Sequence, residues 1–225
     1  MFYGVGVGPG DPALLTLRAV EVLRQCGVIA APDTSGRENT ALTIVAAYLE
    51  GKRVVKCRTP MTRDPSALKR AWEDAANEIC TFLEQGEDVC YITLGDPAVY
   101  STLMYVHALV AARGFETEIV PGVSSFCAAA AALKTSLCEG GTPLHIIPAS
   151  YDGLEDALNL PGVKVLMKSG TKTGAILDAL EQRGLLARSK MVSRCGMPGE
   201  KLHHDLRELD RSEGYFSVII VGESE

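Results

Sequence analysis

The sequence predicts an α/β protein built from two sheets, and three observations carry that prediction. Short runs rich in Val, Ile and Tyr alternate with amphipathic helical spacing along all 225 residues. Glycine stands just beyond several of the helical segments, at Gly27, Gly51, Gly86, Gly114 and Gly184. Five strand-like runs precede Pro121 and four follow it, more than one compact sheet would need.

Taken in order, the expected strands are Phe2–Gly8, Val28–Ala31, Arg53–Arg58, Val89–Leu94 and Glu118–Val120, then Leu144–Pro148, Val163–Lys168, Lys190–Arg194 and Tyr215–Val221. Between them Leu14–Cys26, Thr40–Leu49, Ser66–Glu84, Tyr100–Ala112, Ser124–Leu133, Leu154–Leu160 and Thr173–Arg183 space their apolar residues as helices do. No linker or repeat divides the chain, so the boundary is read from topology. It gives an N-terminal domain over 1–118 and a C-terminal domain over 119–225, with a cleft between them as the expected ligand site.

Hydrophobic residues at 47% and charged residues at 22% are ordinary for a folded globular chain. There is no basic leader and no apolar run near the roughly 18 residues that cross a bilayer, so a cytoplasmic protein with no membrane partner is expected. A net charge of −6 argues against nonspecific nucleic-acid binding. Seven scattered cysteines without a C-x-x-C pair read as free buried thiols. The four histidines lack ligand spacing, and no metal site is expected.

The opening loop, Gly4 to Pro12, is rich in glycine yet is a poor dinucleotide cradle. The fingerprint G-x-G-x-x-G requires a third glycine where Asp11 stands. Asp11 followed by Pro12 reads as a helix start whose N-cap is already an anion, and Pro9 removes a backbone donor that a phosphate would use. A nicotinamide-binding oxidoreductase is therefore disfavoured. The glycines instead suit close approach of something flat or bulky to the backbone.

Three later segments resemble further parts of one site: Val89–Thr102, where an apolar strand runs into Gly95-Asp96-Pro97; Glu118–Phe126, where a strand breaks at Pro121-Gly122 before two serines; and Val163–Gly170, which holds Met167. Each alone also reads as ordinary structure: a turn acid, N-cap serines, a core methionine.

In combination, G-V-G-P-G-D-P-A-L-L-T-L-R-A-V, L-G-D-P-A-V-Y-S-T, P-G-V-S-S-F and V-L-M-K-S-G resemble the tetrapyrrole methylases, the S-adenosylmethionine-dependent enzymes of corrin and sirohaem synthesis. Y-S-T after G-D-P, the C-R-T-P-M segment before the helix holding Trp72, and Y-F-S-V-I-I-V are most similar to the members that methylate carbon 20 of precorrin-2 or its cobalt-bearing counterpart. Methylation of another corrin or porphyrinogen position, or non-catalytic tetrapyrrole binding, is the alternative. The resemblance implies two α/β domains with the cofactor in the cleft between them, a homodimer, a tetrapyrrole substrate and S-adenosylhomocysteine as product. It places Pro9, Leu94, Gly95, Asp96, Val99, Ser124, Ser125, Met167 and Gly196 at the cofactor.

Methyl transfer from a sulfonium needs alignment and a dry site more than a nucleophile. Carbon 20 must lose a proton, and Asp96, Tyr100 and His107 are candidate acceptors, as is bound water. An octacarboxylate substrate needs local positive charge. Lys52–Arg70 carries seven bases against one acid, and Arg58 and Arg63 are the expected carboxylate ligands, with Lys168, Lys172 and Arg194 as the reserve.

Overall fold

The computed structural model describes residues 1–33, 39–60, 62–169, 172–207, 209 and 216–222. The chain divides into two compact units, Met1–Ser124 and Ser125–Glu225.

The first unit alternates strand and helix: β1 (Phe2–Gly6), α1 (Leu17–Gln25), β2 (Val28–Asp33), α2 (Thr40–Ile44), β3 (Arg53–Arg58), α3 (Pro65–Glu84), β4 (Val89–Thr93), α4 (Leu103–Ala112) and β5 (Thr117–Val120). The strands form one parallel sheet in the order β3-β2-β4-β1-β5. All five residues of β1 and of β4 are buried, as expected for central strands covered on both faces. Alternation divides β1 between two cores. Phe2 joins Val28, Val55, Ile79 and Leu103 on the α3/α4 side. Tyr3 and Val5 join Val22, Leu23, Ile29 and Ile44 on the α1/α2 side. Burying each such side chain contributes about 1.5–3 kcal/mol before chain entropy is counted.

The second unit contains α5 (Ser125–Ala132), β6 (Leu144–Pro148), α6 (Leu154–Leu158), β7 (Val163–Met167), α7 (Thr173–Gln182), β8 (Ser189–Ser193), β9 (Lys201–His203) and β10 (Ser217–Val221). Its sheet runs β6-β7-β10-β8-β9, with β10 antiparallel to both β7 and β8. The core gathers Leu166, Met191 and Ile219 against Ile176, Leu177 and Leu180 of α7.

Several boundaries differ from the sequence expectation. Residues 118 and 119 both lie in β5, which pairs with β1, so a boundary there would cut the first sheet. Asp11-Pro12 opens only a three-residue 3-10 turn, in which Asp11 Oδ1 accepts Ala13 N–H at 2.8 Å. Leu15 then extends the backbone, and α1 starts under a separate cap, Thr16 Oγ1 accepting Ala19 N–H at 3.1 Å. Gly27 lacks the left-handed φ of the other four closing glycines, because α1 ends on extended Cys26. Strand β9 was not expected: three residues on a sheet edge show no periodicity. Tyr215 of the expected final strand lies outside the described residues. Two of the cysteines, Cys127 and Cys138, are exposed rather than buried.

No helix among the described residues is long and apolar enough to cross a membrane. None of their His, Cys, Asp and Glu side chains form a group of three or more placed to hold a metal ion.

Candidate functional site

In the first unit, the loops leaving the carboxyl ends of β1, β4 and β5 are bonded to one another. Val7 N–H donates to Thr93 O at 3.0 Å, and Gly8 and Gly95 exchange backbone bonds of 3.2 and 2.8 Å. Asp96 adds the third loop: Oδ2 accepts Gly122 N–H at 2.9 Å while Oδ1 accepts Ala98 N–H at 2.8 Å. The glycines make this approach possible. A Cβ on Gly6 would lie 2.6 Å from Gly95 O and 2.7 Å from Gly122 N, and one on Gly122 would meet the same backbone from the other side. What the glycines of the opening loop admit is, first of all, the backbone of neighbouring loops.

Gly95 is different. It is buried and left-handed, with φ of 72°, yet a Cβ built there meets nothing within 4 Å. Pro9 is buried directly after Gly8, and Leu94 and Val99 are half-buried on either side of Gly95 and Asp96. The segment is held at its far end by Thr93 Oγ1 and Ser101 Oγ, 2.9 Å apart, with Ser101 Oγ also accepting Leu103 N–H at the start of α4. Tyr100 sits between these anchors with φ of 50° and is 43% exposed, which is why α4 begins after it and not at it. The Gly122 amide and the Ser101 hydroxyl were missed from sequence; P-G after a strand and S-T before a helix were their only signals.

His107 is less available than its sequence position suggested, because Nε2 lies 2.9 Å from Thr117 Oγ1 between α4 and β5. The basic stretch is likewise partly absorbed by the fold. Lys52 Nζ donates to Arg24 O and Cys26 O at the end of α1. Arg53 pairs with Glu87 at 3.0 Å and lies over Phe82, and Lys69 pairs with Glu73. Arg58 ends the edge strand β3, and Arg63 precedes the Asp64 cap of α3; both are exposed.

Ser124 closes the first unit and Ser125 opens α5 of the second, which packs against β8 and β10. Met167, half-buried, ends β7, with its carbonyl accepting Ala149 N–H at 2.8 Å. Lys168 follows with φ of 54°, and Ser169 Oγ meets Ser217 Oγ at 2.8 Å. At the end of β8, Arg194 also has φ of 54°, and Gly196 N–H donates to Glu200 Oε2 at 2.7 Å. Met167 and Gly196 thus leave the same edge of the second sheet. Beside Gly196, burial and the Glu200 carboxylate push the Cys195 thiol up to about 11.

Ligands of open α/β sheets bind outside the carboxyl ends of the strands, where these segments lie. Asp11, its carboxylate turned onto Ala13, does not serve as the third glycine of a dinucleotide loop.

Residues 1–210 match the family of tetrapyrrole (corrin/porphyrin) methylases. The chain is 42% identical to a probable cobalt-precorrin-2 C(20)-methyltransferase of Methanocaldococcus jannaschii over 74% of this chain and 71% of that protein. It is 35% identical to the cobalt-precorrin-2 C(20)-methyltransferase of Salmonella typhimurium, over 97% and 94% of the two chains. Its fold matches the crystal structure of a cobalt precorrin-4 methyltransferase with a TM-score of 0.80 at 24% identity, over 98% and 94%. It also matches a Thermus thermophilus uroporphyrin-III C-methyltransferase complexed with S-adenosylhomocysteine, with a TM-score of 0.71 at 22% identity, over 99% and 97%. With the loops of β1, β4 and β5 interlocked by the glycines of the matching motifs, the chain belongs to the tetrapyrrole methylases.

Proposed function

We propose that this protein transfers a methyl group from S-adenosylmethionine to carbon 20 of a precorrin-2 macrocycle during corrin ring synthesis. The observation that carries the proposal is the 35% identity to a C(20)-methyltransferase across 97% of the chain. The cobalt-bearing macrocycle is the favoured substrate, since the relatives at 42% and 35% are named for it and one named for metal-free precorrin-2 is 29% identical. A cytoplasmic homodimer is part of the same reading.

The residues fit the cofactor: Gly95 is buried yet open at the place where a side chain would sit, and the apolar Pro9, Leu94 and Val99 stand in the same loops. S-adenosylmethionine supplies a methyl group already activated on a sulfonium, so no covalent enzyme intermediate is required. Pro9, Leu94, Gly95, Asp96, Val99 and Ser124 of the first unit would hold it. Asp96 fixes the loop that bears Gly95 and keeps lone pairs for the ammonium of the methionine moiety. Asp96 and Tyr100 are the side chains proposed to take the proton from carbon 20, with His107 turned to Thr117. Arg58 and Arg63 would meet substrate carboxylates.

The test is incubation with methyl-labelled cofactor and either cobalt-precorrin-2 or precorrin-2, with carbon NMR of the product. Label at carbon 20 is expected, faster with the cobalt form. Label at another carbon, or none, refutes the assignment.

A further inference from the structure

Four residues other than glycine adopt left-handed backbone among the described residues: Tyr100, Lys134, Lys168 and Arg194. That conformation disfavours any residue with a Cβ, and it persists where the surroundings or a function require the side chain. Lys134 has a local explanation. It closes α5, with its own N–H donating to Ala131 O and that of Thr135 to Ala130 O, both at 3.0 Å.

Lys168 and Arg194 have no such helix to close. Each is the first residue beyond a strand, β7 and β8 respectively, and both strands run antiparallel to β10, which lies between them. The two cations therefore leave the sheet at the same edge, two strand spacings or roughly 10 Å apart. Ser217, the first residue of β10, stands in register with Ser193, and Arg194 N–H donates to Phe216 O at 2.7 Å. Arg194 Nε donates to Pro198 O at 2.8 Å, which sets the plane of the guanidinium, and Gly199 leaves room beside it. Both side chains are exposed.

We propose that Lys168 and Arg194 form a carboxylate-binding subsite of the second unit that takes two side-chain carboxylates of the tetrapyrrole. This rests on the methylation reading for its ligand, and names the groups on this chain that select a polycarboxylate macrocycle. Two cations leaving the strand ends on either side of β10 suit a ligand that carries several carboxylates.

Glycine is the informative substitution, since it removes the charge and relieves the backbone at once. Lys168→Gly and Arg194→Gly, singly and together, would be titrated with uroporphyrin III, a polycarboxylate macrocycle, by fluorescence quenching at low and high salt. Each single change is expected to weaken uroporphyrin binding about tenfold and flatten its salt dependence, with S-adenosylhomocysteine affinity within about twofold of the parent. The melting temperature should be equal or higher, and Arg194→Lys should recover part of the affinity. Unchanged uroporphyrin binding in the double variant overturns the subsite, as does a parallel loss of S-adenosylhomocysteine binding. Salt-sensitive uroporphyrin binding that the variants weaken, in a parent that puts no methyl on carbon 20, would keep the subsite and remove the methylation reading.

Discussion

The Asp96 carboxylate accepts the Gly122 backbone N–H at 2.9 Å, joining the turn after β4 to the turn after β5 across 26 positions of sequence. Its second oxygen is also committed, to Ala98 N–H. Asp96→Ala therefore removes two acceptors from backbone donors. It is expected to lower unfolding free energy in urea by about 1–3 kcal/mol and to weaken S-adenosylhomocysteine binding by calorimetry. Asp96→Asn keeps one acceptor and should fall between. Parent-like stability in Asp96→Ala would show that water replaces the carboxylate.

Gly122→Ala and Gly95→Ala should separate packing from ligand space. At Gly122 a methyl group runs into the backbone of Gly6 and Gly95, so the expected result is loss of at least about 2 kcal/mol of stability. At Gly95 the methyl meets nothing within 4 Å, leaving only the left-handed backbone to cost about 1–2 kcal/mol. Cofactor affinity should fall more steeply at Gly95 than its stability does, measured side by side in both variants.

Arg58→Ala and Arg63→Ala are expected to raise KM for the tetrapyrrole with a shallower salt dependence, at nearly unchanged cofactor affinity. Steady-state kinetics of the double variant at two ionic strengths checks this. Kinetics equal to the parent would remove Arg58 and Arg63 from the substrate site, just as Lys52, Arg53 and Lys69 are already engaged by partners within the fold.

Thiol labelling should reveal two populations. Burial pushes Cys26 and Cys57 up to about 12, while Cys127 and Cys138 are exposed. At pH 8 a thiol with a pKa of about 12 is thiolate roughly one part in ten thousand, before access is considered. Mass spectrometry after mild alkylation should find Cys138 and Cys127 modified first, and the other five only after denaturant is added.

Arg18 grips Glu118 with two bonds of 2.8 Å, tying α1 to β5. These bonds hold the Glu118 carboxyl below its usual value. A depressed folded pKa gives stability that is present above the unfolded carboxylate pKa and is lost as pH falls through the folded one. Glu118→Gln should flatten the acid limb of the stability curve from about pH 5 downward, followed by urea unfolding, with little change in its shape near neutrality. The expected effect is small, because the pair is partly solvated.

Much of the fold was legible because its signals are local and repeated. Buried parallel strands read as short apolar runs, and three of the five glycines placed after helices, Gly86, Gly114 and Gly184, do close them in left-handed geometry. What escaped depends on long-range pairing. The edge strand β9 is three residues of mixed polarity whose only partner is β8. Asp11-Pro12 satisfies the local rules for a helix start, yet Leu15 turns extended and Thr16 caps the helix instead. For the site, motif order pointed to loops that the first unit does bond to one another, but nothing in G-D-P says that its carboxylate will reach an amide in P-G. Nor could sequence show that Lys168 and Arg194, 26 positions apart, leave one sheet edge in the same unusual backbone conformation.

The placement of β10 between β7 and β8 bears on how the chain is made. The first sheet has every strand by residue 120, so it can close while the ribosome is still translating the second unit. The second cannot do likewise: until Ser217–Val221 emerges, β6-β7 and β8-β9 are separate ribbons with four unpaired edges between them, where the finished sheet has two. A stop codon or proteolytic nick ahead of β10 would leave a finished first unit tethered to an adhesive half-sheet, so the second unit stays open to misassembly until its last strand has been made.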